Sequence, residues 1–277
     1  MNYEKIIQDL IEKYKISPID ILRIGDGVRE YNYLNDNKED YTRTIRDIDS
    51  IFKGDRKHIK ILEIGSFLGV VSIALKKLGF TVFALDIPEF FRSSKLQSLY
   101  KKKEVSFKGV NLRNTKLPYK SNSLDAVIVC EVIEHFNFNP LPVFQEINRV
   151  LKKGGYIYIG MPNQSSFWHR INLLFGTSIH NPIEDFFKQL GKKDNMIVGL
   201  HWREYTMQET IELITKMGFD VVTSYYSPTM VKIQSYTVMS ILNKILYSYG
   251  PFRPGLVVVG KKSSTPNYDF WVTEASS

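Results

Sequence analysis

The residue types that can do chemistry fall into a few short stretches, and the first is Ile59-Lys60-Ile61-Leu62-Glu63-Ile64-Gly65-Ser66-Phe67-Leu68-Gly69. A run of Ile and Leu bounded by glycine reads as a strand covered on both faces, as in a parallel sheet. Val70 to Leu78 then carries apolar residues at helical spacing and stops at Gly79. A strand, a glycine turn and a helix start predict a nucleotide-like ligand at the turn. A dinucleotide needs Gly-x-Gly-x-x-Gly, because its pyrophosphate must approach the backbone at the helix N-terminus. Phe67 and Val70 stand at two of those three positions, so a dinucleotide is disfavoured.

Stepping outward from the turn, strands are predicted at 59–64, 81–86, 105–110, 124–130 and 155–161, with helices near 69–78, 91–101 and 140–151 between them. That alternation implies right-handed crossovers and a parallel sheet. The helix at 140–151 is expected to close on Lys152-Lys153-Gly154-Gly155, basic residues and glycine where a C-terminus favours them. Thr206 with Glu209 has the capping-box pattern of a helix start, and Phe219–Tyr226 and Leu256–Gly260 read as two further strands that form an antiparallel edge. The predicted fold is a Rossmann-like seven-stranded, mostly parallel sheet with an antiparallel edge strand, helices on both faces, an N-terminal helical cap and an insertion after strand 5. Residues 1–58 form the cap: one helix with Ile6, Ile7, Leu10, Ile11 and Tyr14 on a face, a polar, turn-rich stretch from Gly25 to Asp40, and a second helix from Tyr41 to Phe52. Residues 59–262 form the main domain, in which 164–201 is a candidate substrate lid, and 263–277 is a tail.

Composition sets the outer bounds. At 277 residues with 43% hydrophobic and 24% charged residues, the chain can bury a sizeable core. The net charge of +8 fits a Lys-rich surface or an anionic partner. The single cysteine, Cys130, excludes a disulfide framework and a cysteine-based metal site, and fits a reducing cytoplasm. Met1-Asn2-Tyr3-Glu4-Lys5 puts charge where a signal peptide needs an apolar core, and no apolar run reaches about 18 residues, so secretion and membrane spanning are not expected.

Taken together, these stretches resemble the class I S-adenosylmethionine-dependent methyltransferases, clearly over 59–163 and more loosely over 201–262. Glu63-Ile64-Gly65-Ser66-Phe67-Leu68-Gly69 looks like the first motif of that family and Phe83-Ala84-Leu85-Asp86 like the second. Gly109-Val110-Asn111-Leu112 resembles the adenine-side segment, Cys130-Glu131-Val132-Ile133-Glu134-His135 the Glu-His ending of the fourth strand, and Arg149 to Gly155 the turn into the fifth. The resemblance implies S-adenosyl-L-methionine as cofactor, with Gly65 and Gly69 as close-approach residues and Asn111 and Leu112 near the adenine. It makes Asp86 the acceptor for both ribose hydroxyls, a task that suits a carboxylate. Glu63, Ser66, Phe67, Ile87, Cys130 and Glu131 complete the cofactor set. Phe67 departs from the family's usual glycine, which leaves the contacts to the methionine tail around it open.

Methyl transfer from a sulfonium is an in-line displacement, and a hydroxyl acceptor must also lose its proton. His135 is the first candidate base, because imidazole titrates near neutral pH. His201, in Leu200-His201-Trp202-Arg203-Glu204-Tyr205-Thr206, is the second, and Glu134 can hold either histidine or bind the acceptor. No metal is expected, since His and carboxylates show no ligand spacing such as His-x-x-x-His along the chain. Phe167, Trp168, Phe175, Phe186, Phe187 and Trp202 form either an acceptor pocket or the core of the lid.

The expected function is O-methylation of a small-molecule, sugar or glycolipid acceptor, with a quinone-like phenol as the nearest rival. The basic balance and the apolar patch around Ile241-Leu242 also permit peripheral contact with a membrane, at its inner surface. RNA methylation and a non-catalytic cofactor-binding module are the alternatives. The missing Asn-Pro-Pro-aromatic motif after strand four argues against an amino-methylating enzyme of nucleic acids.

Overall fold

The computed structural model describes residues 1–16, 27–113, 116–187, 200–228 and 238–266. Helices α1 (Tyr3–Ile16), α2 (Gly27–Asp36) and α3 (Lys38–Ile51) precede the first strand, β1 (Lys60–Ile64). There follow α4 (Val70–Lys77), β2 (Thr81–Asp86), α5 (Ser94–Lys102), β3 (Ser106–Gly109), β4 (Leu124–Cys130), α6 (Leu141–Val150) and β5 (Leu151–Pro162). The insertion carries α7 (Phe167–Leu174) and α8 (Ile183–Phe187), and α9 (Met207–Lys216), β6 (Phe219–Ser227), α10 (Val238–Leu246) and β7 (Gly255–Lys262) complete the chain.

The seven strands lie in the order β3-β2-β1-β4-β5-β7-β6. The pairs from β3 through β5 are parallel, and β7 runs antiparallel to both β5 and β6. The antiparallel pairings therefore fall at the predicted edge, with the reversed strand itself one place in from the end. Alternate residues of the central strands feed two cores. Ile61, Ala84 and Ile128 face the side packed by α1, α3 and α4, while Leu62, Leu85 and Val127 face the side of α6 and α9. Burial on both faces is why these strands read as near-continuous apolar runs.

The order reverses between β1 and β4, and ligands of open α/β sheets bind outside the carboxyl ends of the strands at such a switch point. Gly65 and Glu131, the residues that follow those two strands, both leave the sheet here with positive φ.

Two local expectations are corrected. Residues 27–36 are helical rather than turn-rich. Leu34 is buried against the core, and Tyr31 donates to Glu12 of α1 at 3.3 Å, so packing overrides a weak local pattern. The Lys152-Lys153-Gly154-Gly155 stretch does not close a helix but begins β5. Gly154, at φ 79°, lets the strand bulge where its register on β4 shifts. The capping box of α9 is present as predicted, with Glu209 accepting from the Thr206 amide at 2.8 Å. Among the described residues no helix is long and apolar enough to cross a membrane.

Candidate functional site

A cavity of about 480 Å³ opens at the switch point, within the ~300–1,000 Å³ usual for small-molecule and cofactor sites. Its wall on the side of β1 and β2 is built largely by backbone. Gly65 turns out of β1 at φ +77°, and a Cβ there would lie 2.1 Å from Val132 Cγ2. The Gly65 and Ser66 amides donate to the Leu85 carbonyl, and the Phe67 amide donates to Asp86 Oδ2 at 2.7 Å. Gly69, also at φ +77°, caps α4 beneath Tyr100, whose hydroxyl donates to Ser66 Oγ at 3.0 Å. Phe67 sits at φ +45°, a conformation most non-glycine residues avoid. Its ring is held edge-on between Tyr33 and Phe90, each 5.5 Å away. The bulky residue is thus accommodated by aromatic neighbours from α2 and from the turn after β2.

Asp86 closes β2 and is buried. Its second oxygen accepts from the Ile87 amide at 2.7 Å, so each carboxylate oxygen holds one amide and keeps a lone pair. That is the pair of acceptors a ribose diol fits. Burial raises its pKa to about 7, against the pull of the two amides. Glu63, whose carboxylate accepts from Ser72, is likewise pushed up to about 8 by burial.

Of the residues singled out from sequence, Glu63, Gly65, Ser66, Phe67, Asp86, Ile87, Leu112, Cys130, Glu131, His135 and His201 line this one cavity. Gly69, Asn111 and Glu134 do not form its surface. Gly69 stands behind the turn. Asn111 uses its Oδ1 to accept from the Arg113 amide at 3.0 Å, leaving Leu112 at the wall. Glu134 is fully buried directly behind His135.

The opposite wall is built by side chains. The rings of His135 and His201 meet edge-on at 5.0 Å. His135 Nδ1 lies 2.8 Å from the Leu200 carbonyl, which can only accept, so Nδ1 carries the proton and Nε2 keeps its lone pair. His201 Nδ1 lies 2.8 Å from Glu204 Oε1, which fixes the same tautomer. Burial lowers the His201 pKa, but the Glu204 hydrogen bond and the charges of Glu134 and Glu204 outweigh it and raise it overall. Glu204 is itself buried, and its other oxygen lies 3.3 Å from His169 Nδ1. Glu131 is held well above the usual carboxylate range, first by burial and then by its neighbours Glu134 and Asp40.

Histidines and carboxylates that are scattered along the sequence are therefore not scattered in space. One ring nitrogen each of His135 and His201 and a carboxylate oxygen of Glu134 lie within 4.8 Å of one another, close enough to hold a metal ion together.

Sequence reasoning missed the third wall. Tyr33, Asn37, Asp40, Tyr41, Arg43 and Thr44 of α2 and α3, with the turn between them, line the cavity. Asp40 and Thr44 are polar, yet they share the buried stripe of α3 with Ile45 and Ile48, and that mixed stripe was the available signal. The described residues of the insertion before His201 contribute nothing to the cavity surface. Phe167 packs on Trp168 and Phe252, Phe186 packs on Trp202, and Phe175 and Phe187 are exposed. His180 is also exposed.

Residues 62–159 match the methyltransferase domain family. Over 107 residues the chain is 28% identical to the ubiquinone biosynthesis O-methyltransferase of Xanthomonas campestris pv. campestris, which covers 38% of this chain and 44% of that protein. The chain thus spans less than half the length of these curated relatives. A S-adenosylmethionine-dependent methyltransferase of Archaeoglobus fulgidus superposes with a TM-score of 0.53 at 16% identity, covering 84% of this chain and 100% of that one. One from Thermotoga maritima gives 0.52 at 20% identity, covering 85% and 95%. The phosphoethanolamine N-methyltransferase 2 of Haemonchus contortus, in complex with S-adenosyl-L-methionine, gives 0.51 at 15% identity over 80% of this chain and 53% of that one. With the strand order, the glycine turn and the matched domain agreeing, residues 62–159 carry a methyltransferase domain, and the chain has the fold of the class I S-adenosylmethionine-dependent methyltransferases.

Proposed function

We propose that the chain transfers the methyl group of S-adenosylmethionine to a hydroxyl oxygen of a small-molecule, sugar or glycolipid acceptor. In the step, the acceptor oxygen forms a bond to the methyl carbon as the carbon–sulfur bond breaks. Its electron pair stays on sulfur, giving S-adenosylhomocysteine, and the hydroxyl proton leaves. Asp86 would hold the ribose hydroxyls, Leu112 would lie against the adenine, and the turn from Gly65 to Phe67 would border the methionine portion.

The observation that carries oxygen as the acceptor atom is the tautomer of the two imidazoles. His135 and His201 both spend Nδ1 on an acceptor behind them, which leaves two basic Nε2 atoms at the cavity. A hydroxyl, unlike a neutral amine, carries a proton that must be withdrawn as the new bond forms, and positioned imidazole serves that step. The O-methyltransferase relatives point the same way. The aromatic lining from Tyr33, Tyr41, Phe136 and Phe138 favours a phenolic ring as the second acceptor class.

The test is transfer of labelled methyl from S-adenosylmethionine to fractionated cell extract, followed by identification of the methylated atom. Label found on nitrogen would overturn the oxygen reading, and label found on RNA would overturn the small-acceptor reading. Cofactor binding without transfer to any fraction would favour a binding module.

A further inference from the structure

We propose that His169, on helix α7 of the insertion, is a positioning residue for His201 that acts through Glu204, so that the insertion sets which ring nitrogen of His201 offers a lone pair to the cavity. Its effect on turnover rests on the oxygen-transfer reading above, whereas the positioning itself does not.

Two imidazoles share one buried carboxylate on this wall. Glu204 is 4% exposed. Its Oε1 lies 2.8 Å from His201 Nδ1, and its Oε2 lies 3.3 Å from His169 Nδ1. His169 Nδ1 is also 3.2 Å from the Gln164 carbonyl, which can only accept, so this nitrogen carries the ring proton. One N–H therefore faces two acceptors at nearly equal distance. It is aligned on the carbonyl, which leaves Glu204 Oε2 buried without a hydrogen bond. A carboxylate oxygen in that state drives proton uptake or movement unless a donor reaches it. A small turn of the His169 ring carries the N–H from Gln164 to Oε2.

The consequence reaches the cavity through His201. Which nitrogen of a histidine carries the proton is set by the bond its other nitrogen makes. While Glu204 is ionised it only accepts, so His201 Nδ1 keeps the proton and Nε2 keeps its lone pair at the cavity. A protonated Glu204 can instead donate to Nδ1, which moves the ring proton to Nε2 and removes the base. The N–H of His169 stabilises the ionised form and so guards the useful tautomer. The other groups against His201 do not hold Nδ1: Glu134 adds charge, and His135 meets the ring edge-on.

Helix α7 is anchored well enough to keep His169 in place. Asn163, fully buried at the end of β5, donates to the Pro251 and Arg253 carbonyls and accepts from the Ser165 amide. The Gln164 amide donates to the Tyr205 carbonyl at 3.2 Å, and Trp168 Nε1 donates to buried Asn243 of α10 at 3.1 Å. An insertion whose described residues leave the cavity surface untouched thus still reaches its chemistry.

The test uses long-range proton–nitrogen correlation spectra of the full-length protein carrying isotope-labelled histidine. The protein is saturated with S-adenosylhomocysteine in alkaline buffer, where imidazole is neutral, and the five histidines are assigned by single replacement. Wild-type His201 should show a protonated Nδ1 and a bare Nε2. His169→Leu fills the space and excludes water but has no donor, and should give His201 a mixture of both tautomers, as should Glu204→Ala. His169→Asn, whose amide nitrogen takes the place of Nδ1, should restore the wild-type pattern. If His169→Leu does not fold, His169→Phe replaces it. With the extract fraction that accepts labelled methyl, His169→Leu should lower kcat about tenfold, the scale of one hydrogen bond to a charged group. The KM for S-adenosylmethionine should stay within a factor of about two or three, because the cofactor wall is not touched. A wild-type tautomer in His169→Leu, or a mixture that His169→Asn does not correct, would overturn the inference and leave the oxygen-transfer reading untouched. A mixed tautomer with unchanged kcat would overturn the effect on turnover. Tautomers that respond as stated while label appears on nitrogen would leave the positioning standing and remove the oxygen-transfer reading.

Discussion

The two sides of the cavity are constructed in opposite ways. On the side of β1 and β2, backbone does most of the work: two left-handed glycines, one left-handed Phe67 and a pair of amides locked onto Asp86, all within one strand–turn–helix–strand unit. On the far side, side chains do it. His135 and Glu134 follow β4, His201 and Glu204 precede α9, and Asp40, Tyr41 and Arg43 come from α3. The first construction suits one unchanging ligand and tolerates little change. The second can be re-specified residue by residue without touching the turn, as a changeable acceptor requires.

The comparison breaks most severely at Gly65. Gly65→Ala puts a Cβ 2.1 Å from Val132 Cγ2 at a φ that alanine avoids. The expected outcome is loss of measurable S-adenosylhomocysteine binding and a marked drop in thermal stability. Val132→Ala in the same chain should restore part of the binding, because it removes the clash but not the backbone cost. Near-normal binding by the single variant would show that the turn is not the rigid wall described.

On the opposite wall, His135→Ala should leave S-adenosylhomocysteine affinity within a factor of two or three while lowering kcat by about 10²–10⁴-fold. Comparable losses in affinity and turnover would merge the two walls into one functional unit.

This division also governs what could be read from sequence. The Gly65 to Gly69 turn and Asp86 were legible because a strand, a turn and an acid at the end of the next strand fall within one short unit, and backbone rules act locally. The capping box at Thr206 was legible for the same reason. His135 and His201 could be picked out as residue types, but not as a pair, because only the fold brings the turn after β4, with the neighbouring end of β5, against the start of α9. There the Asn163–Tyr205 bridge and the Trp202 amide donating to the Glu134 carbonyl tie the two segments. Helix α2 was invisible because Leu34 alone among its described side chains is deeply buried, so its helical state is set by packing on α1 and α3 rather than by periodicity. The contribution of α3 to the cavity was lost with it. The bulge at Gly154 imitated a helix end because glycine serves both structures.

A smaller effect separates the ribose assignment from general stability. Asp86→Asn keeps the shape, loses the charge and gives up the acceptor for either the Phe67 or the Ile87 amide, and should weaken S-adenosylhomocysteine binding roughly tenfold to a hundredfold, the scale of hydrogen bonds to a charged acceptor. Burial places the Asp86 pKa near 7 in the ligand-free protein, and only the ionised carboxylate is free to accept from both hydroxyls. Wild-type affinity should therefore rise between pH 6 and pH 8, while the Asn variant stays flat. A flat wild-type profile would take the ribose away from Asp86.

The smallest predicted effect concerns Glu63, which belongs to the same backbone-built side but whose titration can be read without ligand. Its folded pKa of about 8 lies above the ordinary value of 4.5, and the first cause is burial. Between those values the folded chain holds a proton that the unfolded chain has released, so stability falls as pH rises through the window. Glu63→Gln keeps an acceptor for the Ser72 hydroxyl and cannot ionise. The variant should match the wild type near pH 5 and exceed it near pH 8.5, by on the order of 1 kcal/mol or more, which is ~2–4 °C in Tm. Asp86 shifts in the same direction and is present in both proteins, so the difference between the two pH profiles isolates Glu63. A Tm difference that does not change between pH 5 and pH 8.5 would mean that Glu63 is not held neutral, and that the cofactor wall carries a full negative charge before the sulfonium arrives.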